Sequence, residues 1–191
     1  MSEHNKSQSL QNTFLVAMPS MPDPRFKHAV TYICEHNESG AMGLVINQPT
    51  NLTVGELLDQ IDIENNKMAT NSSVAVMSGG PVHTDRGFVL HSAKPGYSSS
   101  AHVGSEIMIT TSKDVLHELT THEAPEKFLL TLGYAGWDPG QLEQELKDNT
   151  WLTVPVDPEI MFNTPAQLRW QKAIESLGVD INKLTQYSGN A

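Results

Sequence analysis

Short apolar runs, each ended by turn-forming residues, dominate the sequence. This pattern limits the possible folds more than any other feature of the chain. The runs AVTYICEH (29–36) and AMGLVINQ (41–48) flank NESG, which is typical of a β-hairpin. Further short apolar runs predict strands at 13–18, 73–77, 87–93, 106–112, 126–137 and 151–156. Because strands follow one another with few helices between them, the order favours an α+β fold with a mainly antiparallel or mixed sheet. A doubly wound parallel sheet would need strands and helices that alternate regularly along the chain.

Residues typical of helix N-termini predict about four helices between the strands. Thr53 and Glu56 are spaced as a capping box, which predicts a helix from residue 53 onward. Three later segments, begun by Thr111 or Ser112, by Asp138 and by Thr164, predict helices over 113–122, 138–149 and 164–178.

The length and spacing predict one folded domain with two loose ends. A chain of 191 residues suits a single core, and no linker or internal repeat divides its middle. We expect a flexible tail over residues 1–12, one domain over 13–178, and a C-terminal tail or weak helix over 179–191. The polar segment 62–73 predicts a mobile loop, and the Gly/Ser-rich segment 94–105 predicts a long loop.

Acidic residues outnumber basic ones by 22 to 12, which gives a formal net charge of −10. A surface of this charge repels phosphate backbones and anionic lipid heads. We therefore expect that the protein binds neither nucleic acid nor membranes. The expected partner is an unidentified protein or small molecule. The polar start of the chain lacks an apolar signal core, and a lone cysteine forms no internal disulfide, so we expect a cytosolic location.

Common cofactor and catalytic motifs are missing from the sequence. There is no G-x-x-x-x-G-K-[ST] loop, no G-x-G-x-x-G after a strand and no G-x-S-x-G elbow. There is also no H-E-x-x-H motif and no cysteine pair, so a structural zinc site is not expected. The sequence predicts no cofactor, no metal and no assignable catalytic residue, and it favours a protein that is not an enzyme.

The segment MSGGPVHTDRGFVLHSA (77–93) concentrates residues that could hold a ligand. Its two glycines either let backbone N–H groups approach a ligand or supply the φ angles of a tight connection between strands. We favour the tight connection, in which Arg86 would brace the turn. The candidate ligand-binding residues of the segment are Gly79, Gly80, His83, Asp85, Arg86 and His91.

Two arginines, Arg25 and Arg86, draw attention because basic residues are scarce. Each guanidinium could hold an anion through paired hydrogen bonds. Each could equally pair with a nearby carboxylate and brace its loop, which the 22 acidic residues favour. Arg25 joins the candidate ligand-binding residues; it follows three prolines between residues 19 and 24, where regular structure is excluded.

The lone cysteine, Cys34, lies two residues before His36 in the apolar run YICEH. On a strand the two side chains share a face. At the edge of the sheet, with His36 beside it, the Cys34 thiol would be activated and prone to oxidation. A buried Cys34 would instead be inert packing. Both alternatives stay open, with Cys34 and His36 as a candidate redox pair.

Five segments together resemble the YqgE/AlgH family of bacterial proteins. In chain order they are LVAMPSMPDPRF, AVTYICEHNESGAMGLVINQP, SGGPVHTDRGFVLH, LGYAGWDPGQLEQEL and NTWL, over about residues 14–178. The resemblance implies a sheet partly closed like a barrel, with helices around it. It implies no catalytic residue, because the family has no established activity. The family's label as a transcriptional regulator of alginate synthesis carries over poorly to a chain this acidic.

Three functions are compatible with these observations. The first is a non-enzymatic regulatory protein that binds a small ligand or a partner. The second is an enzyme or redox protein, which requires convergence in space of Cys34, His36, His83, Asp85, Arg86 and His91. The third, direct DNA binding, is least favoured because of the net charge.

Overall fold

The computed structural model describes residues 8–187, so residues 1–7 and 188–191 of the two expected tails lie outside it. The strands are β1 (Thr13–Ala17), β2 (Val30–Asn37), β3 (Gly40–Val45), β4 (Pro49–Thr53), β5 (Ala75–Ser78), β6 (Val82–Ser92), β7 (Ser100–His102), β8 (Ile107–Thr110), β9 (Phe128–Trp137) and β10 (Trp151–Pro155). The α-helices are α1 (Val54–Gln60), α2 (Asp114–Glu118), α3 (Gln141–Lys147), α4 (Ala166–Glu175) and α5 (Ile181–Tyr187). Short 3₁₀ turns cover Pro24–Phe26 and Thr70–Ser73, and a π-helical turn covers Glu159–Asn163.

The strands form one curled sheet in the order β10-β1-β2-β3-β9-β6-β8-β7, and β4 joins it through β5, which pairs with β9. Every neighbouring pair is antiparallel except β5 and β9. The curl makes a half-barrel against which the helices pack. This confirms the predicted single α+β domain with a mainly antiparallel, partly closed sheet.

The predicted hairpin is formed by β2 and β3, and its strands are interrupted by a bulge. Asn37 pairs with Gly40 at the turn, as the NESG sequence indicates. The register shifts between Ile33 and Glu35, so β2 carries one more residue than β3 at this point. An extra residue changes which face the following side chains occupy, and that affects the candidate redox pair described below.

The chain crosses β9 at the two glycines between β5 and β6. Over Thr131–Leu132, β9 pairs in parallel with β5 and antiparallel with β6, so these strands lie on its opposite sides. A Cβ on Gly79 would lie 2.4 Å from the carbonyl oxygen of Gly133, and one on Gly80 would lie 2.2 Å from the carbonyl carbon of Tyr134. Only residues without a Cβ permit this approach. The sequence predicted that this segment tightly connects two neighbouring strands. In the structure it instead carries the chain across a third strand, β9.

Three apolar clusters fill the space between the sheet and its helices. The first includes Val154 of β10 and Ile107 of β8, which come from opposite ends of the strand order, so it lies inside the curl. The second holds Val45 of β3 and lies under α3 through Leu142. The third lies under α1 and α2 and includes Val115. The half-barrel is thus packed on its inner and outer faces.

Helix α4 is fastened to the strand ends by two polar side chains. Trp170 donates from Nε1 to the carbonyl oxygen of Ala17 at 2.8 Å. The buried Arg169 donates from Nε to the carbonyl oxygen of Thr164 at 3.0 Å and from Nη1 to that of Ile46. Burial lowers the pKa of Arg169 to about 10.

Some local predictions differ from the structure. The capping box of Thr53 and Glu56 begins α1 as predicted. The predicted cap before α2 is absent: the N-cap residue is Lys113, and Ser112 donates to Asp114 instead. Gly140, not Asp138, occupies the N-cap of α3.

Two predicted loops contain more structure than expected. The segment 94–105 includes β7, and 62–73 ends in the 3₁₀ turn Thr70–Ser73. The N–H of Asn66 donates to Thr120, and the amide of Asn71 donates to the carbonyl oxygen of Leu119. These contacts fix the second loop against the end of α2.

Candidate functional site

A groove of about 300 Å³ opens beside the crossover, against the segment that the sequence marked as a candidate. It has the volume of about ten water molecules, the small end of the range for ligand sites. Three separate parts of the sequence border it, at Arg25, Phe26, Val45, Gln48, Ser78, Gly80, Pro81 and Thr84.

Hydrogen bonds join the walls of the groove. Gln48 donates from Nε2 to the carbonyl oxygen of Arg25 at 3.0 Å. The N–H of Ser78 donates to the carbonyl oxygen of Gln48 at 2.7 Å, and the N–H of Val45 donates to that of Gly79 at 2.8 Å. Because each wall is bonded to the next, the groove is formed without a ligand.

The groove combines an apolar floor with polar groups at its edge. Phe26 packs edge-on against the ring of Trp151, with centroids 5.7 Å apart, and Val45 is fully buried. The side chains of Arg25, Ser78 and Thr84 supply the polar groups. This composition resembles that of small-molecule sites, where a few polar groups orient a largely apolar ligand.

Arg25 is paired with Asp23 at the edge of the groove. Its Nη2 lies 2.8 Å from Oδ2 of Asp23, and its Nε also donates to that carboxylate. The hydrogen bonds from the Arg25 side chain lower the pKa of Asp23, which stays ionised. Asp23 Oδ1 also accepts from the N–H of Arg25 at the start of the 3₁₀ turn. The pair braces this turn while 63% of the Arg25 side chain remains exposed.

Residues 83–86 protrude from the sheet because the register of β6 shifts against β9 between Val82 and Gly87. The protrusion contains three exposed candidates, His83, Asp85 and Arg86. The guanidinium of Arg86 lies 5.3 Å from the ring centroid of Phe88, so an aromatic ring braces it rather than the carboxylate we expected.

Cys34 lies at the bulge of β2 and inside the inner core. Its Sγ lies 3.7 Å from the carbonyl oxygen of Tyr32, and both residues belong to the same apolar cluster. Burial raises the pKa of the Cys34 thiol, so the sulfur stays protonated at neutral pH. This environment favours the inert alternative.

His36 lies on the α3 side, away from the cluster that contains Cys34. Its Nδ1 accepts from the N–H of Leu10 at 2.9 Å, so its Nε2 carries the proton and donates to Oε1 of Glu143 at 2.6 Å. This hydrogen bond lowers the pKa of Glu143. His36 therefore ties the N-terminal segment to α3, and the shared face expected for an uninterrupted strand is lost at the bulge.

His91 is fully buried and joins three strands. Its Nδ1 lies 2.8 Å from the carbonyl oxygen of Ser92, which only accepts, so Nδ1 carries the proton. Nε2 then accepts from the hydroxyl of Thr110 at 2.6 Å, and that oxygen lies 2.8 Å from the hydroxyl of Ser100. Burial lowers the pKa of His91.

The histidine and cysteine candidates do not meet in one site. His36 lies level with Trp137 through β3, whereas His91 pairs with Phe128 at the other end of β9. At 3.3 Å per residue, the two ends are about 30 Å apart. Three strand spacings, about 14 Å, separate β2 from the 83–86 protrusion. The convergence that the redox alternative requires is not found.

A larger cleft of about 560 Å³ lies near the start of β9. Exposed charges of both signs border it, including Lys127, Glu106, Glu123 and Glu126. Its lining mixes these charges with Phe162, Pro125 and Pro158, whereas Arg25 is the one charged side chain among the eight residues that line the groove. We therefore place the candidate site in the groove.

Neither a cluster of metal-ligating side chains nor a membrane-spanning helix is found in the part of the chain that the structure describes. Within residues 8–187, no group of three or more His, Cys, Asp or Glu side chains is arranged to hold a metal ion. In the same residues, no helix has the length and apolar character needed to cross a bilayer.

Sequence reasoning named Arg25 and Gly80 but missed the other residues of the groove. Phe26 and Val45 carry no local signal, because apolar residues beside a turn or at a strand end are common. Ser78 stands directly before the two glycines, and proximity to that motif was the only available indication. The long-range contact between residues 25–48 and 78–84 is what makes these residues neighbours.

The fold and the groove define an α+β half-barrel domain with a small preformed cleft. A family profile described as AlgH-like matches residues 14–182. A UPF0301 protein of Pseudoalteromonas translucida is 65% identical over 96% of this chain and 100% of its own length. A UPF0301 protein of Vibrio cholerae is 51% identical over 96% of this chain and 100% of its own. The chain therefore belongs to the AlgH-like family, which confirms the resemblance seen in the sequence.

Two solved structures show the same fold. The solution structure of the AlgH protein from Pseudomonas aeruginosa is similar with a TM-score of 0.79 at 47% identity, covering 96% of this chain and 97% of that one. A crystal structure of a Corynebacterium diphtheriae protein has a TM-score of 0.75 at 19% identity, covering 94% and 93%. At that identity the second likeness concerns the fold alone.

Proposed function

We propose that this protein is a non-enzymatic binding protein whose ligand site is the groove beside the crossover. The observation that carries the proposal is the groove itself, which combines apolar surface at Phe26 and Pro81 with polar side chains beside it. The ligand is a small molecule or the side chain of a partner protein. Its binding would serve a regulatory role in the cytosol, where the single Cys34 stays reduced.

The placement of the reactive candidates supports a binding role over catalysis. Cys34 is buried, both ring nitrogens of His36 are hydrogen-bonded, and His91 lies at the far end of β9. General acid–base chemistry needs such groups within hydrogen-bond reach of one substrate atom. Direct DNA binding remains disfavoured by the net charge of −10.

A thermal-shift screen with metabolites and nucleotides tests the proposal. A ligand present at 100 times its Kd should raise the free energy of unfolding by about 2.7 kcal/mol. Thr84→Trp should fill the groove and abolish the shift, because Thr84 is an exposed lining residue. Asp85→Trp is the matched control, since Asp85 is exposed next to it and does not line the groove. Equal loss of the shift in both variants, or retention in both, would contradict the assignment.

A further inference from the structure

Three residues that line the groove beside the crossover carry hydrogen-bond donors that have no acceptor within residues 8–187. We propose that it takes the anionic end of its ligand, a carboxylate or a phosphate group; this inference rests on the proposed function. The donors are the backbone N–H of Gly80, the hydroxyl of Ser78 and the Nη1 group of Arg25.

Gly80 provides the strongest of these observations. The residue is buried, yet its N–H donates to no atom of residues 8–187, whereas the neighbouring Gly79 donates to the carbonyl oxygen of Leu132 at 2.7 Å. A backbone N–H that lacks an acceptor within these residues needs one from a ligand or from solvent. An anionic oxygen in the groove would supply the missing acceptor.

Ser78 and Arg25 add donors from two other sides. The hydroxyl of Ser78 makes no hydrogen bond to a side chain or backbone of the described residues, and Ser78 borders the same groove. Asp23 holds Nε and Nη2 of Arg25, which fixes the plane of the guanidinium and leaves Nη1 without a described partner. A fixed guanidinium loses little freedom when it binds an anion.

The charges around the groove fit an anion. None of its eight lining residues is acidic, although the chain has 22 Asp and Glu residues. Asp23, which contacts Arg25, stands outside the lining. The larger cleft, by contrast, is bordered by several glutamates, Glu106, Glu123, Glu126 and Glu159. With four glutamates against two lysines, Lys94 and Lys127, the larger cleft carries an excess of negative charge, which favours an anion in the groove over the cleft.

The apolar surface of the groove indicates the chemistry of the part of the ligand that lies beyond its anionic group. Phe26 and Pro81 provide a surface that a short alkyl or aryl group can cover. Hexanoate and hexyl phosphate carry the two anionic groups on such a chain. Hexanamide and hexanol have the same chain without the charge, so they separate the anion from the apolar contact.

Titration of the ¹⁵N-labelled protein with these four compounds, followed by NMR, tests the inference. One or both anions should shift the amide signals of residues 25–26, 45–48 and 78–84 and bind at least about tenfold more tightly than the neutral compounds. The stronger of hexanoate and hexyl phosphate identifies which anionic group the site prefers. The amide signal of Gly80 should move downfield, as expected for a new hydrogen bond.

Two charge variants sharpen the test. Arg25→Gln should weaken binding of the anions about tenfold and leave the neutral compounds unchanged. Lys27→Gln removes the same charge from an exposed residue that does not line the groove, and it should change the affinity less than about twofold.

The outcomes distinguish the two proposals. If neutral compounds bind the groove as tightly as the anions, or if Arg25→Gln has no effect, the anion inference is overturned and the groove remains a binding site. If none of the four compounds shifts the groove signals, and the metabolite screen also gives no groove ligand, both proposals fail. Shifts confined to the larger cleft would overturn both as well.

Discussion

A Cβ on Gly79 would lie 2.4 Å from the carbonyl oxygen of Gly133, so two glycine motifs 54 positions apart in sequence meet backbone to backbone. The first motif, SGGP, carries the chain across the second, LGYAG, in β9. Gly133 also has φ +78°, a conformation that side chains with a Cβ rarely adopt. The crossover holds β5, β6 and β9 together and shapes one wall of the groove.

Substitution of either glycine should therefore destabilise the fold. Gly79→Ala and Gly133→Ala should each lower the free energy of unfolding by about 2 to 4 kcal/mol, because the new Cβ meets rigid backbone. Gly136→Ala is the control: its Cβ would meet only a side-chain atom of Tyr134 at 3.6 Å, and it should change stability by less than about 0.5 kcal/mol. Urea denaturation followed by circular dichroism measures all three. A neutral Gly79→Ala would mean that the strands do not cross this closely.

Arg169 should contribute strongly to stability although it forms no ion pair among residues 8–187. Arg169→Met removes the donors to the carbonyl oxygens of Thr164 and Ile46, and we expect a loss of about 2 to 5 kcal/mol. Lys172→Met removes one charge from the exposed side of the same helix and should cost less than about 0.5 kcal/mol. Chemical denaturation compares the two variants. Equal stability of the two would contradict the assigned role of Arg169.

The Cys34 thiol should resist modification in the folded protein. Its burial and raised pKa keep it protonated, and the thiolate is the form that reacts. Incubation with a maleimide at pH 8 should leave native protein unlabelled for hours, while protein unfolded in urea should label completely. Mass spectrometry reads both samples. Rapid labelling of native protein would revive the redox alternative.

Stability should fall as the pH drops through the range in which unfolded histidine becomes protonated. Because burial lowers the pKa of His91, the folded state binds fewer protons at this position than the unfolded state. The contribution is complete above the unfolded pKa of about 6.5 and is lost below it. Urea midpoints at pH 7.5 and pH 5.5 measure the loss.

Variants at two histidines assign this pH dependence. His91→Gln should flatten the change between pH 7.5 and 5.5, whereas His102→Gln, on the exposed strand β7, should leave it intact. The carboxylates with lowered pKa values, such as Glu143, change stability only in a more acidic pH range. An unchanged slope in His91→Gln would show that another group carries the effect.

Local signals in the sequence predicted most strands and the α1 cap, because those features depend on neighbouring residues. NESG specifies the turn between β2 and β3, and Thr53 with Glu56 specifies the start of a helix. The crossover was not predictable from SGGP alone, since it depends on pairing with a strand about 50 residues away. The pairing of Cys34 with His36 failed for a similar reason, because a bulge in β2 has no distinctive sequence.

The candidate site was predictable only in part. The segment 77–93 supplies one wall of the groove, at Ser78, Gly80, Pro81 and Thr84, but the opposite wall at residues 25–48 comes from long-range packing. The same packing separates His91 from His36, which the sequence placed in one hypothetical site. Which residues touch is decided by the sheet register, and that register is a property of the whole chain.

The groove beside the crossover, and not the larger cleft, is the ligand site that we propose for this protein. The most direct measurement maps amide chemical-shift changes on the ¹⁵N-labelled protein with the most stabilising compound from the thermal-shift screen. We predict changes centred on residues 25–26, 45–48 and 78–84 and their loss in Thr84→Trp. Changes centred instead on residues 92–94, 122–127 and 158–163 would place the ligand in the larger cleft and overturn the proposed site.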